Sequence, residues 1–163
     1  MSRRSRNLLI GLLLAVGLPI FGLACLSFFS RKPEHLGVVN GRLADCPTSP
    51  NCVCSQASDP DHQIEPFRFE GSSAEALTRL QSIVAAMSGA RLVTADERYL
   101  HAEFTSRLFR FVDDVEFSID PGTQTIQVRS ASRVGRSDLG VNRQRLEEIR
   151  RRFDEARNLR SDS

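Results

Sequence analysis

From Asn7 to Ser30 the chain carries no charged side chain, and the centre of that stretch, "LLIGLLLAVGLPIFGLACLSFF" (Leu8 to Phe29), is almost wholly apolar. At about 1.5 Å of rise per residue, such a run crosses the roughly 30 Å of bilayer hydrocarbon as one helix. A lone segment in lipid must satisfy its backbone internally, which selects helix over strand. Pro19 falls mid-span and predicts a kink, because it removes one backbone donor. Arg3, Arg4 and Arg6 stand before the run, against Arg31 and Lys32 after it. Counted with the α-amino group, that bias predicts a cytoplasmic N-terminus and a body outside the cytoplasm.

The apolar run is longer than the core of a cleaved signal peptide, and no small-x-small cleavage site stands out. The rival is "GLAC", Gly22 to Cys25, which is similar to a lipoprotein box whose cysteine is lipidated after cleavage. Gly22 stands where that box carries a large aliphatic residue, and the apolar run continues to Phe28 and Phe29. The expectation is an uncleaved single-pass anchor through residues 8–29, with a lipoprotein anchored at Cys25 as the alternative. Both export the remainder.

Three units follow: residues 1–32 as membrane anchor or signal segment, 33–66 as an extended entry segment rich in proline, and 67–160 as an α+β domain. Residues 33–163 suit one small domain with a modest core. They hold 17 arginines, no lysine and 20 carboxylates, a net charge of −3. Residues 33–128 carry 7 arginines against 14 acids, and residues 129–163 carry 10 against 6. Such asymmetry can mark an anion-binding or membrane-facing surface. The simpler reading, preferred here, is that the two halves of one fold pair their charges.

Along the domain, "IEPFRFEG" (Ile64 to Gly71) reads as a short strand. Ser72 and Glu75 form a capping box, and Leu77, Leu80, Ile83, Val84 and Met87 make the apolar stripe of a helix that Gly89 stops. Four strands are predicted next, over Arg91–Ala95, Tyr99–Ser106, Phe109–Ile119 and Thr125–Arg133, with a turn at "DPGTQ". Pairing Ile119 with Ile126 sets Phe117 against Val128 and Glu116 against Arg129, so apolar meets apolar and acid meets base. The last helix is predicted from Asn142, as N-cap, to Leu159, with Leu146, Ile149 and Phe153 inward. The fold class is therefore α+β, of order β-α-β-β-β-β-α, with helices on one face of an antiparallel sheet.

"CPTSPNCVCS" places Cys46, Cys52 and Cys54 close together, between prolines. In an exported chain oxidation is favoured, so Cys46 and Cys52 are expected to bridge, leaving Cys54 as the odd thiol. Pro47 and Pro50 narrow the unfolded ensemble of that loop. Zinc would need a fourth ligand, for which only His35 or His62 is near, and no metal or cofactor is expected.

The strand register puts Asp113 on the core face opposite Ser132, with Ser130 opposite Val115. A buried carboxylate needs partners. One reading is a polar pocket in which Asp113, Ser130, Ser132, Arg133, Asn142 and Arg143 hold a small anionic ligand, helped by free N–H groups at the start of the last helix. The other is an internal buttress in which Asp113 accepts hydrogen bonds from serines, loop N–H groups or an arginine. His101, Glu103, Asp114 and Glu116 alternate onto the opposite face, where a solvated surface is the default. "SAS" (Ser130 to Ser132) lacks a hydrolase elbow, and no phosphate loop, dinucleotide fingerprint or histidine-rich metal motif occurs. Nucleic-acid binding is not expected, since the arginine-rich end lacks interleaved aromatics.

"CPTSPNCVCSQA", "YLHAEF", "RFVDDVEF" and "VRSASRVGRSDLGVNRQR" occur in this order, and together they resemble the bacterial family known as domain of unknown function 1499. The resemblance spans roughly Gly37 to Arg157. It implies an envelope protein with no established activity. It further implies that the Cys54 position is more often serine, which supports the Cys46–Cys52 pairing and weakens a three-cysteine metal site. The functional expectation is a membrane-tethered envelope domain that contacts an envelope protein or a small anionic ligand. The alternative is an enzyme using Asp113 as acid or base beside Ser130, Ser132 and Arg133.

Overall fold

A computed structural model describes residues 32–161 continuously, together with scattered positions between Arg3 and Gly22. The predicted membrane span falls largely outside the described residues. Among those that are described, no helix is long and apolar enough to cross a membrane.

Six strands and two helices build the domain. They are β1 (Cys52–Cys54), β2 (Phe67–Arg68), helix α1 (Ser73–Ala85), β3 (Ala90–Ala95), β4 (Tyr99–Thr105), β5 (Val112–Asp120), β6 (Thr125–Ser132) and helix α2 (Val141–Ser161). The sheet runs β1-β6-β5-β4-β3, with β2 also on β6, and all of its ladders are antiparallel. The α+β class and the antiparallel sheet agree with the sequence expectation. So does the register, in which Ile119 meets Ile126, Phe117 meets Val128, Glu116 meets Arg129 and Asp113 meets Ser132.

Alternation along β4, β5 and β6 sends Leu100, Phe104, Val115, Phe117, Ile126 and Val128 to one face, where all are buried. Leu77, Leu80 and Val84 of α1 close over that face with Leu146, Ile149 and Phe153 of α2. The capping box forms as expected, with Ser72 Oγ accepting from Glu75 N–H and the Glu75 carboxylate accepting from Ser72 N–H. Gly89 ends the α1 turn at φ 80°, and a Cβ there would lie 2.5 Å from the Thr105 carbonyl oxygen. Gly89→Ala is therefore expected to lower stability by at least the ~1–2 kcal/mol of a left-handed non-glycine residue, read as a fall in the denaturant midpoint.

Three expectations need correction. The strand over Ile64–Gly71 shrinks to Phe67–Arg68, because Arg150 donates to the carbonyls of Glu65 and Pro66 and Pro66 has no N–H to pair. Phe109 and Phe111 lie before β5 rather than in it, and Arg110 at φ 58° breaks the alternation. Asn142 is not the N-cap of the last helix. It sits one residue inside α2, and its N–H donates to the Asp138 carboxylate at 2.8 Å. The entry segment also supplies β1, a strand of three residues that is too short to show a period.

Candidate functional site

The core face of β5 and β6 carries three polar side chains among apolar ones, Asp113, Ser130 and Ser132. The first turns of α2 lie over them. Asn142 and Arg145 are three residues apart on that helix and so share a face. Arg145 Nη2 donates to Asp113 Oδ2 at 2.6 Å, while its Nη1 donates to Asn142 Oδ1 at 2.7 Å and to Ser130 Oγ at 3.2 Å. The Ser130 hydroxyl also donates to Asn142 Oδ1. Asn142 Nδ2 donates to Ser132 Oγ at 2.9 Å and to the Asn51 carbonyl at 3.0 Å. Asn51 in turn donates from Nδ2 to the Gly135 carbonyl at 2.6 Å. The Arg145 guanidinium rests 4.8 Å above the Phe104 ring, a cation–π contact. Strand β6, helix α2 and the segment before β1 are thus locked through one hydrogen-bonded cluster.

Of the six predicted ligand-binding residues, the structure brings together Asp113, Ser130, Ser132 and Asn142. Arg133 follows Ser132 and points to the other face. Arg143 leaves the cluster altogether and donates to the Gln63 and Asp61 carbonyls at 2.7 and 3.0 Å, pinning the entry segment to α2. Arg145 and Asn51 were missed. Helical spacing from Asn142 could have revealed Arg145, since both precede Ile149 on the inward side. No pattern points to Asn51, which meets a residue 91 positions away.

On the opposite face the expectation of a solvated surface is wrong. His101, Glu103, Asp114 and Glu116 do alternate onto that face, but all four are buried, Asp114 and Glu116 completely. Arginines are the reason. Arg133 donates from Nε to Asp114 Oδ2 and from Nη2 to Asp114 Oδ1, both at 2.8 Å, and reaches Glu103 Oε1 at 2.6 Å. His101 Nε2 donates to Asp114 Oδ1 at 2.8 Å, and Arg91 closes on Glu103. Glu116 accepts from Arg129, from the Tyr99 hydroxyl and from the Gly37 backbone N–H of the entry segment. Arg129 Nε is left buried without a hydrogen-bond partner.

The electrostatics follow from these contacts. Burial pushes the Asp114 carboxyl up, but the bonds from Arg133 and His101 outweigh it and hold the group below the usual carboxylate range. Glu103 behaves alike, with burial opposed by Arg133 and Arg91. Burial and the neighbouring Glu116 both push the Tyr99 phenol up. Every formal charge in this face has an opposite charge within reach.

Cys46 and Cys52 form a disulfide. Cys54 is free and buried, and burial pushes its thiol up. His62 turns its Nδ1 to the Cys52 carbonyl at 2.8 Å. Beside the Asp113–Arg145 pair an open groove of about 580 Å³ runs between the end of β4 and the start of α2, with Met87, Phe104, Arg107 and Val141 in its walls.

Fold and clusters together define a small two-layer α+β domain with a clasped N-terminal approach. The chain matches the family described as Protein of unknown function (DUF1499) over residues 42–153, and it belongs to that family. No curated protein and no solved structure matches it.

Proposed function

We propose that this chain is a membrane-tethered envelope domain that works by binding rather than by catalysis. Its working end is where the β4–β5 loop, the β6–α2 loop and the start of α2 meet. The observation that carries this reading is the closure of both polar clusters. The enzyme alternative needs Asp113, Ser130, Ser132 and Arg133 around one reacting atom, whereas Arg133 lies across the sheet with its donors on Asp114 and Glu103. Asp113 meets Arg145 at 2.6 Å, and this pair is itself held by Asn142 and Ser130. That is the arrangement of a buttress. What the same end leaves open is the groove, an apolar wall with Arg107 and the Asp113–Arg145 pair along it. The tether rests on the apolar run of residues 8–29 with its arginine flank.

Asp113→Asn tests the buttress. As part of a buttress it should lose roughly 2 kcal/mol, seen in urea unfolding, since Arg145 would keep its charge without a counter-ion. Any loss of function in cells should then track the lost fold. A variant of unchanged stability that nevertheless loses function would overturn the buttress and give Asp113 a direct role at the groove, whereas one that folds and keeps full function rules out the enzyme's acid or base. The tether is tested by the intact mass of the membrane-extracted chain, alkylated without reduction. An unprocessed mass supports an uncleaved anchor, a truncated chain acylated at Cys25 makes it a lipoprotein, and an unmodified chain in the soluble fraction overturns the tether.

A further inference from the structure

We infer that the rim of this groove is a bilayer-contacting tip that seats two leucines in the interface of an anionic membrane. Leu108 and Leu139 are 80% and 88% exposed, the largest values among the described large hydrophobic residues. A lone exposed leucine is ordinary. Here each sits on one of two loops that meet at one end of the sheet, since Arg107 and Val141 line the same groove and Arg133 N–H donates to the Val112 carbonyl. Val141, at 45% exposure, extends the apolar rim.

The well-exposed charges at that rim include an arginine from each loop. Arg107 is exposed on the β4–β5 loop and Arg136 on the β6–α2 loop. The carboxylates nearby are engaged, Asp113 with Arg145, Glu148 with Arg151 and Arg152, and Asp138 with the N–H groups of Gly140 and Asn142. Exposed aliphatic side chains flanked by guanidinium groups fit a surface that is apolar below and anionic above, which is the profile of a bilayer containing acidic lipids. The Val38–Val39 hairpin is the other exposed aliphatic pair, but Glu34 and Asp45 stand beside Arg42 there, so it lacks the charge match.

The tether reading, on which this inference rests, permits the geometry. Gly37 is fixed against Glu116, opposite Arg129, four residues along the sheet from Arg133, or roughly 13 Å. Residues 30–37 reach roughly 23 Å when extended, so they are long enough for this end of the sheet to face the membrane.

The chain contains no tryptophan, so Leu108→Trp and Leu139→Trp each introduce a sole reporter. Full-length variants would be placed one per nanodisc, in phosphatidylcholine alone or with phosphatidylglycerol. Glu97→Trp, at the opposite end of the sheet, and Val39→Trp serve as comparisons. The expected result is a blue-shifted emission at 108 and 139, quenched by lipids labelled roughly 5–10 Å below the headgroups. The shift should be stronger with phosphatidylglycerol and weakened by Arg107→Glu with Arg136→Glu or by high salt, which screens exposed charges. Water-like emission at both positions, or a shift at Val39→Trp instead, overturns the tip. A shift seen only when several chains share a vesicle assigns the rim to a second copy and also overturns it. Flotation of the discs reports the tether separately. If the chain does not float with them, the tether has failed, and added phosphatidylglycerol vesicles decide the tip by the same emission.

Discussion

Replacing Arg133 by alanine is expected to destabilise the domain by about 3–5 kcal/mol, the range found when one partner of a buried ion pair is removed. Asp114 is fully buried and Glu103 nearly so, and Arg133 is the one arginine that contacts both, beside His101 on Asp114 and Arg91 on Glu103. Without it two carboxylates face each other across adjacent strands, paired in register at Glu103 and Asp114. Urea unfolding monitored by circular dichroism would show the loss, and a fall below 1 kcal/mol would mean that water or rearranged side chains replace the guanidinium. The pH profile gives a second readout. Folded-state pKa values of Asp114 and Glu103 lie below their ordinary values, so the unfolded chain binds more protons in acid. Their contribution is complete above the unfolded values of about 3.9 and 4.3 and is lost as pH falls through the lower folded values. The wild-type midpoint should hold steady above about pH 5 and drop below about pH 4, whereas Arg133→Ala should show a shallower acid limb.

Asn142→Leu should be the second severe change, at roughly 3 kcal/mol or more. The leucine fits a helix and matches the volume, yet it strips partners from buried groups at about 1–3 kcal/mol for each group left unsatisfied. Ser130 Oγ loses an acceptor, Ser132 Oγ and the Asn51 carbonyl lose a donor, and Arg145 Nη1 loses an acceptor. Pairing Asn142→Leu with Ser130→Ala should recover part of the loss, because the serine then has no unmet hydroxyl. Strict additivity of the two changes would show that the contact carries no coupling.

The strand register was legible because it rests on period-two alternation, and a slip of one residue would have put Phe117 and Val128 in the wrong layer. The α1 start was legible for a similar local reason, since Ser72 and Glu75 carry the capping signal within four residues. Alternation also placed His101, Glu103, Asp114 and Glu116 on the right face. It could not say what covers that face, which depends on arginines of β6 and on Gly37 far away in sequence. The charge imbalance between residues 33–128 and 129–163 was the usable clue. Arg129, Arg133 and Arg145 from the basic end close on Glu116, Asp114, Glu103 and Asp113 from the acidic one. In the polar cluster under α2, Asp113 was found by asking what sits on an apolar face. Arg145 was missed among the many arginines of that helix, although its spacing from Asn142 and Ile149 sets it on the inward face.

β1 docks on the outer edge of β6, with Cys54 opposite Arg129. The 75 positions that separate them in sequence take roughly 4–15 s to synthesise at about 5–20 residues per second. For that interval the first strand has been made and its neighbour has not. The hairpins β3–β4, β4–β5 and β5–β6 are each local and can assemble as they emerge, but β6 then presents a bare edge until the N-terminal strand returns to it. A second nascent chain could take that place. The short Cys46–Cys52 loop involves no residue beyond position 52 and can therefore close while β1 waits, so the strand that must arrive last is the one shaped first.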